Sequence, residues 1–359
     1  MSEIPNETAK ALFTQEDFEK ITKLVSAEFQ LEETLLEHNI PTYYLKQPQE
    51  TKQPFLRLLK NLKNMNLIAF LRKENGKVIL KVVPKPPIKP SNTAVNLLLL
   101  LATIFTTFLA GYLVSPEVIN PYVGGFSFTI AMLAVLGTHE MGHKLTANKN
   151  EVDATLPYFI PGPPPLGTFG AVIMQKSLPP NRDALFDIGA DGPISGFIVA
   201  FIISAVGLTM MVPSPQVPAG VIGAPLLWII IEHALEALNM IPKPPQGGML
   251  LLHPIAFAGW VGIVVTMLNL LPAGMLDGGH IARALGGEKY RFVLAMLSVF
   301  YLIVLRVYVM AILVLFMSMY KHPGPLDDVS SLSKSRKLVS IVLIGIFILC
   351  TPPSLYLLL

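Results

Sequence analysis

The sequence predicts a polytopic α-helical membrane protein of about six transmembrane helices, with re-entrant or β-hairpin elements between them and a small soluble α+β domain in front. Three observations predict this. Of the 359 residues, 52% are hydrophobic and only 14% charged, with a net charge of +3, a balance typical of integral membrane proteins and one that excludes nucleic-acid binding as a class. The charges are also unevenly placed, since the stretch before Asn92 carries 14 Lys or Arg and 11 Asp or Glu, about half of the total. From Thr93 onward, apolar runs arrive at the roughly 20-residue length that crosses a hydrocarbon core.

The leading domain, residues 1–91, is read as α+β. Its opening, MSEIPNETAKALF, lacks a basic head and an apolar core, so no cleaved signal peptide is expected and the first spanning helix acts as its own insertion signal. Thr14 to Glu28 places Phe18, Ile21 and Leu24 or Val25 at helical spacing behind a Thr start, and Lys52 to Leu62 repeats the pattern with Phe55, Leu58, Leu59 and Leu62. Thr42 to Leu45 reads as a strand. LIAFLR and KVILKVV flank Glu74-Asn75-Gly76, a turn in which Asn-Gly supplies the positive φ angles of a tight hairpin. VVPKPPIKP then forms a proline-stiffened linker.

The second domain, residues 92–359, begins with spanning runs at 93–114, 124–147, 188–211 and 254–275. Residues 221–239 are interrupted by Pro225, Glu232, His233 and Glu236. Residues 291–320 carry Arg306 mid-run, and 338–359 end with Pro352 and Pro353. Basic loop residues mark the cytoplasmic side. Lys77, Lys81, Lys85 and Lys89 precede the first span, Lys144, Lys149, Lys176 and Arg182 follow the second, and Arg283, Lys289 and Arg291 come after 254–275. That parity requires 221–239 not to cross and 291–320 to fold as a hairpin with Arg306 near its tip. Cys350 is the single cysteine, so intrachain disulfides are excluded and it reads as a small apolar residue.

One polar cluster breaks the apolar pattern. No Asp, Glu, Lys or Arg lies between Glu117 and Glu140, and then GTHEMGHK follows. Ionisable groups inside a span are costly and usually functional. On a helix His139 and His143, four residues apart, project from one face and can grip one Zn²⁺, while Glu140 lies about 100° round and can act on a zinc-bound water as general base. A catalytic zinc takes three protein ligands and keeps a fourth position open. Candidates for the third are Asp187, Asp191, Glu232, His233, His253, and Asp277 or His280 in NLLPAGMLDGGH. Asp277 is the best of them, because it shares the cytoplasmic side with HEMGH and is followed by Gly278 and Gly279, which permit close backbone approach.

These motifs make the chain similar to the site-2 protease family of intramembrane zinc metalloproteases. HEMGH matches its HExxH, and NLLPAGMLDGGH its Asn-x-x-Pro-x-x-x-x-Asp-Gly. LPYFIP, GTFGAVI, NRDALFDIGADGPISG, HPIAFAGWVG and HPGPLDD resemble the archaeal and plastid branch. The likeness covers about 93–330, excludes the leading domain, and departs from the branch at Met275 and Asp191. It implies His139, His143 and Asp277 as ligands to one Zn²⁺ per chain, Glu140 as general base, and Asn269 as a holder of substrate or oxyanion. His280 is read as a partner of Asp277 outside the ligand set. His253 is read as structural, His322 as a loop residue near the mouth, and Arg182 as a partner of Asp187.

The expected function is therefore hydrolysis of peptide bonds in or near transmembrane segments of other proteins. GTFGAVIMQ would offer an open strand edge on which a substrate extends. Transmembrane proteins and the bilayer are the expected partners, in a cell membrane with the leading domain and the active-site mouth cytoplasmic. The leading domain would filter substrates by size, bind a cytoplasmic regulator, or aid folding. Two alternatives are a tethered zincin acting on soluble peptides and a non-catalytic zinc-binding membrane protein or transporter. The first needs its third ligand in the loop after HEMGH, and the second needs polar residues strung along several helices.

Overall fold

Thr14 accepts a hydrogen bond from the Asp17 N–H at 3.1 Å, and Asp17 accepts the Thr14 N–H in return at 3.0 Å. This capping box satisfies two otherwise orphaned donors and starts α1 (Gln15–Glu28). The computed structural model describes residues 13–88, 90–215 and 223–352. Most of the polar N-terminal stretch, Lys89, the first residues of the interrupted 221–239 run, and Pro353 lie outside the described residues. Contacts divide the chain into two compact units. One is built from residues 1–89 with Pro180–Arg182 and Pro325–Ser331, and the other from the remainder.

In the first unit, β1 (Leu31–Glu37), β2 (Ile40–Leu45), α2 (Lys52–Lys63), β3 (Leu67–Glu74) and β4 (Lys77–Pro84) follow α1. The four strands form one antiparallel sheet in the order β1-β2-β4-β3. Ile21, Val25, Phe55, Leu58 and Leu62 from the helices are fully buried, as are Tyr43, Leu71 and Leu80 from the strands. Asn75 (φ 49°) and Gly76 (φ 84°) make the β3–β4 turn in the left-handed region that the Asn-Gly pair anticipates. β1 is not visible to sequence reading, because LEETLLE does not alternate apolar with polar residues, and a register shift between Leu31 and Glu33 further breaks its period.

The β3 edge of this sheet is covered by chain from far away. The Leu71 N–H donates to the Leu326 carbonyl at 2.9 Å and the Asp328 N–H donates to the Leu71 carbonyl at 3.1 Å, a short parallel bridge. The Asp327 N–H reaches the Pro180 carbonyl at 3.0 Å. Arg182 Nε lies 3.2 Å from Asp328 Oδ1. The expected Arg182–Asp187 pair is thus replaced, and Asp187 instead takes Arg336 through Nε at 2.8 Å and Nη2 at 2.6 Å.

The second unit carries α3 (Thr93–Val114), α4 (Pro121–Lys149), the hairpin β5 (Tyr158–Pro161) and β6 (Thr168–Val172), and α5 (Arg182–Thr209, whose first residue groups with the other unit). Then come β7 (Val212–Ser214), α6 (Leu226–Ala237), β8 (Met249–Leu251), α7 (Pro254–Asn269), α8 (Asp277–Val304), α9 (Tyr308–Ser318) and α10 (Lys334–Cys350). Among the described residues α3, α4 and α5 are long and apolar enough to cross a membrane, and α7 and α9 are shorter apolar helices. The chain is an integral membrane protein. The expected 254–275 span is the 16-residue α7, which stops at Asn269 and gives way to an irregular turn. The 291–320 run is split between α8 and α9 around Arg306 (φ 60°), and α8 itself bends at Gly287 (φ 79°).

Two features position the site. Phe128, Met132, Val135 and Leu136 of α4 share one buried apolar cluster with Ala256, Ile263 and Met267 of α7 and with Leu185 and Phe186 of α5. The β5–β6 hairpin is docked on α3, where Asn96 Nδ2 donates to the carbonyls of Leu156 (3.0 Å) and Pro157 (2.9 Å) and Thr106 Oγ1 to that of Gly167 (2.6 Å). Those side chains absorb backbone carbonyls that lipid could not satisfy.

Candidate metal centre

His139, Glu140 and His143 lie in the last three turns of α4, all buried. Asp277 is the first residue of α8. The turn that delivers it is tight, since a Cβ on Gly278 would come within 2.2 Å of the Leu270 carbonyl oxygen. Asp277 Oδ2 is 3.2 Å from His139 Nε2, and its Oδ1 is 3.2 Å from His143 Nε2. The two Nε2 atoms are 3.1 Å apart. Among the described residues, this is the group of His, Cys, Asp or Glu whose ligand atoms, all within 4.8 Å of one another, could hold a metal ion.

The protonation pattern fits a cation at that point. His143 Nδ1 lies 2.6 Å from the Ile188 carbonyl, which only accepts, so Nδ1 carries a proton and Nε2 is the nitrogen turned to Asp277. Nε2 meets a carboxylate oxygen at 3.2 Å, a contact that either a proton on Nε2 or a metal ion held by both atoms satisfies. Tetrahedral ligands about 2.0–2.2 Å from a zinc ion lie roughly 3.3–3.6 Å apart, within a few tenths of an ångström of the separations seen here. Two imidazoles and one carboxylate also match the three-ligand sets of catalytic zinc.

Around this group stand the other residues. Asn269, the last residue of α7, brings Nδ2 to 3.2 Å from His139 Nε2. Glu140 is 6% exposed, and the Ile173 backbone just beyond β6 lies near its carboxylate, which brings the hairpin up to the centre. His280 does not take the partner expected of it. Its Nδ1 is 2.8 Å from His322 Nε2 instead.

The other candidates for the third ligand are engaged elsewhere. Asp187 pairs with Arg336, Asp191 accepts from Thr146 Oγ1, His233 Nδ1 meets the Ile229 carbonyl, and His253 caps α7 by accepting the Ile255 N–H at 3.1 Å. Glu232 belongs to α6 and lies outside the group.

Sequence reading missed the surface of α5 that backs the histidines. A Cβ on Gly192 would sit 2.1 Å from His143 Nε2, and one on Gly196 would sit 3.0 Å from His139 Nδ1. From the facing side, a Cβ on Gly142 would lie 2.6 Å from the Asp191 carbonyl oxygen. The signal was present as GPISG, a small-x-x-x-small spacing that lets two helices approach closely.

Comparison with known proteins agrees with this arrangement. The family described as Peptidase family M50 matches residues 127–307, 181 of the 359 residues, and so includes every residue from His139 to His280 placed above. The chain belongs to peptidase family M50. As an M50 member it is 28% identical over 237 residues to the probable chloroplastic zinc metalloprotease EGY2 of Oryza sativa subsp. indica, covering 62% of this chain and 43% of the relative. It is 32% identical over 180 residues to the probable chloroplastic zinc metalloprotease EGY1 of Arabidopsis thaliana, covering 48% and 32%. With the EGY3 protein of Oryza sativa subsp. japonica it shares 35% identity over 177 residues, covering 45% and 30%. This M50 chain thus spans less than half the length of these curated relatives. No solved structure matches it.

Proposed function

We propose that this M50 member is an intramembrane zinc endopeptidase that binds one Zn²⁺ through His139, His143 and Asp277 and hydrolyses peptide bonds in or near transmembrane segments of other proteins. One observation carries the reading. Three ligand atoms converge at the end of an apolar helix with a buried carboxylate one residue away. The relatives are named as probable zinc metalloproteases, which supports the choice of metal. A tethered zincin would take its third ligand from the loop after HEMGH, whereas Asp277 begins a later helix.

Bound zinc supplies Lewis acidity at neutral pH. The protein does the rest. Glu140 takes a proton from the attacking water and returns it to the leaving amine. Asn269 Nδ2 stands on the open side of His139 as a donor for the developing oxyanion. The outer edge of β6, with Phe169 73% exposed, accepts the substrate as an added strand, which frees carbonyls that a helix keeps hydrogen-bonded.

About six spans are proposed, with 221–239 turning back and the mouth and leading domain, residues 1–91, on the cytoplasmic side of a cell membrane. Residues 92–359 then form the protease domain, with its core at 93–330. The leading domain is proposed to filter substrates by size, with a cytoplasmic regulator as its alternative occupant. The deciding experiment measures zinc content and cleavage of a model transmembrane substrate for wild type and Glu140→Gln. Zinc near one per chain in both, with cleavage lost only in the variant, is expected. Unchanged cleavage in the variant removes Glu140 from the mechanism.

A further inference from the structure

His280 on α8 and His322 in the loop after α9 face each other edge to face, with ring centroids 4.7 Å apart and planes at 86°. His280 Nδ1 is 2.8 Å from His322 Nε2. The next bond outward decides which of them donates. The Gly324 N–H lies 2.9 Å from His322 Nδ1, and a peptide N–H can only donate, so Nδ1 is bare. Burial, with His280, Arg283 and Arg291 close by, pushes the His322 pKa down to about 2, which keeps the ring neutral. Its one proton is on Nε2 and is given to His280 Nδ1. The arrangement is anchored on a peptide that cannot reverse, so each ring is held in a single tautomer.

The chain of donors ends at the turn that carries Asp277. His280 follows Asp277 by three residues on the same helix face. Gly189 of α5 closes against both, since its Cβ would lie 3.0 Å from the Asp277 carbonyl oxygen and 3.0 Å from His280 Cβ. The other flank is held by the same loop. Arg291, 1% exposed, donates to the Gly274 carbonyl at 3.3 Å and the Tyr320 carbonyl at 3.1 Å, and Glu288 accepts from it at 2.7 Å and 3.1 Å. Residues 320–324 therefore reach both flanks of Asp277, through Arg291 to Gly274 before it and through His280 after it, and none of them belongs to the ligand group.

We propose that His322 is a positioning residue for the metal centre. By fixing His280 one turn along α8, it keeps the Asp277 carboxylate on the two imidazoles. This deepens the zinc reading and rests on it. Asp277 is the first residue of its helix, and the turn before it is closed by short local bonds such as Ala273 N–H to the Leu271 carbonyl and Leu276 N–H to the Ala273 carbonyl, so outer contacts on the following helical turn add to what fixes the carboxylate. Partners of this kind commonly change metal affinity by roughly 10- to 100-fold.

The test uses the full-length protein in detergent. Zinc affinity is measured by chelator competition, and the melting temperature of the zinc-free protein is read in parallel. His322→Ala is expected to weaken zinc binding by roughly 10- to 100-fold. His322→Gln, which keeps an N–H donor at similar reach, recovers most of that loss. The His280→Ala/His322→Ala double variant is no worse than the weaker single, because both act through one contact. Wild-type zinc affinity in His322→Ala, or a loss confined to the melting temperature, overturns the positioning role. Full zinc retention in Asp277→Ala overturns the ligand assignment itself and this role with it, so the two failures are distinguishable.

Discussion

Gly192 of α5 lies directly against His143 of α4, where a Cβ would come within 2.1 Å of the imidazole Nε2. The ring cannot yield, because its other nitrogen is tied to the Ile188 carbonyl on the same helix as the glycine. Gly192→Ala is therefore expected to push His143 off its position. Overpacking of this kind costs about 1–3 kcal/mol, which, felt fully at the metal, corresponds to roughly 5- to 150-fold in zinc affinity. Metal analysis after dialysis against a weak chelator checks it, with helicity by circular dichroism unchanged. Retained zinc would show that the helices can separate without consequence.

Removing any ligand should remove the metal. His139→Ala, His143→Ala and Asp277→Ala are each expected to lose most of the zinc and all detectable cleavage. If Asp277→Ala alone keeps full occupancy, the carboxylate comes from elsewhere.

Asn269→Ala should separate binding of metal from chemistry. Its amide is near His139 Nε2 but stands outside the group of His139, His143 and Asp277, so zinc is expected to stay while kcat falls by roughly 100-fold, the scale of one lost oxyanion donor. Zinc loss in this variant would make Asn269 a support for His139 instead.

The forked contact of Arg336 with Asp187 ties the start of α10 to the first turns of α5. Arg336 also reaches Asp183 Oδ2 at 3.3 Å. A double-mutant cycle of Arg336→Ala and Asp187→Ala is expected to give a coupling of about 1 kcal/mol or more, as for bidentate, partly buried pairs. Additive effects would make the pair energetically silent.

Orientation can be read from single cysteines at exposed positions after Cys350→Ala. Lys149 and Lys289 are expected to label from one side of the membrane, and Glu117 and Lys243 from the other. Labelling of Lys149 and Lys289 from opposite sides would mean that 221–239 crosses.

What sequence reading could find was local or periodic. Thr14 starts α1, Asn75-Gly76 turns the hairpin, and HEMGH projects its histidines from one helical face, because each depends on residues within a few positions. Asp277 was reachable as well, through its place after an apolar run and before two glycines. What escaped depends on distant chain. β1 is a strand only because β2 pairs with it. His322 finds His280 across 42 residues, and Gly192 has meaning only when α4 is laid beside it. The end of α7 at Asn269 also has no local marker stronger than Pro272, three residues on.

The Leu71–Leu326 pairing has a consequence for biosynthesis. Arg72 and Leu326 are 254 positions apart, and the helices α3 to α9 are translated between them. On the ribosome, the leading sheet waits with an open β3 edge until most of the hydrophobic chain has emerged. Contacts of such separation form late, and an unpaired edge invites improper association in the meantime. The sheet is therefore completed only after α3 to α9 have been made, while α10 is still to follow.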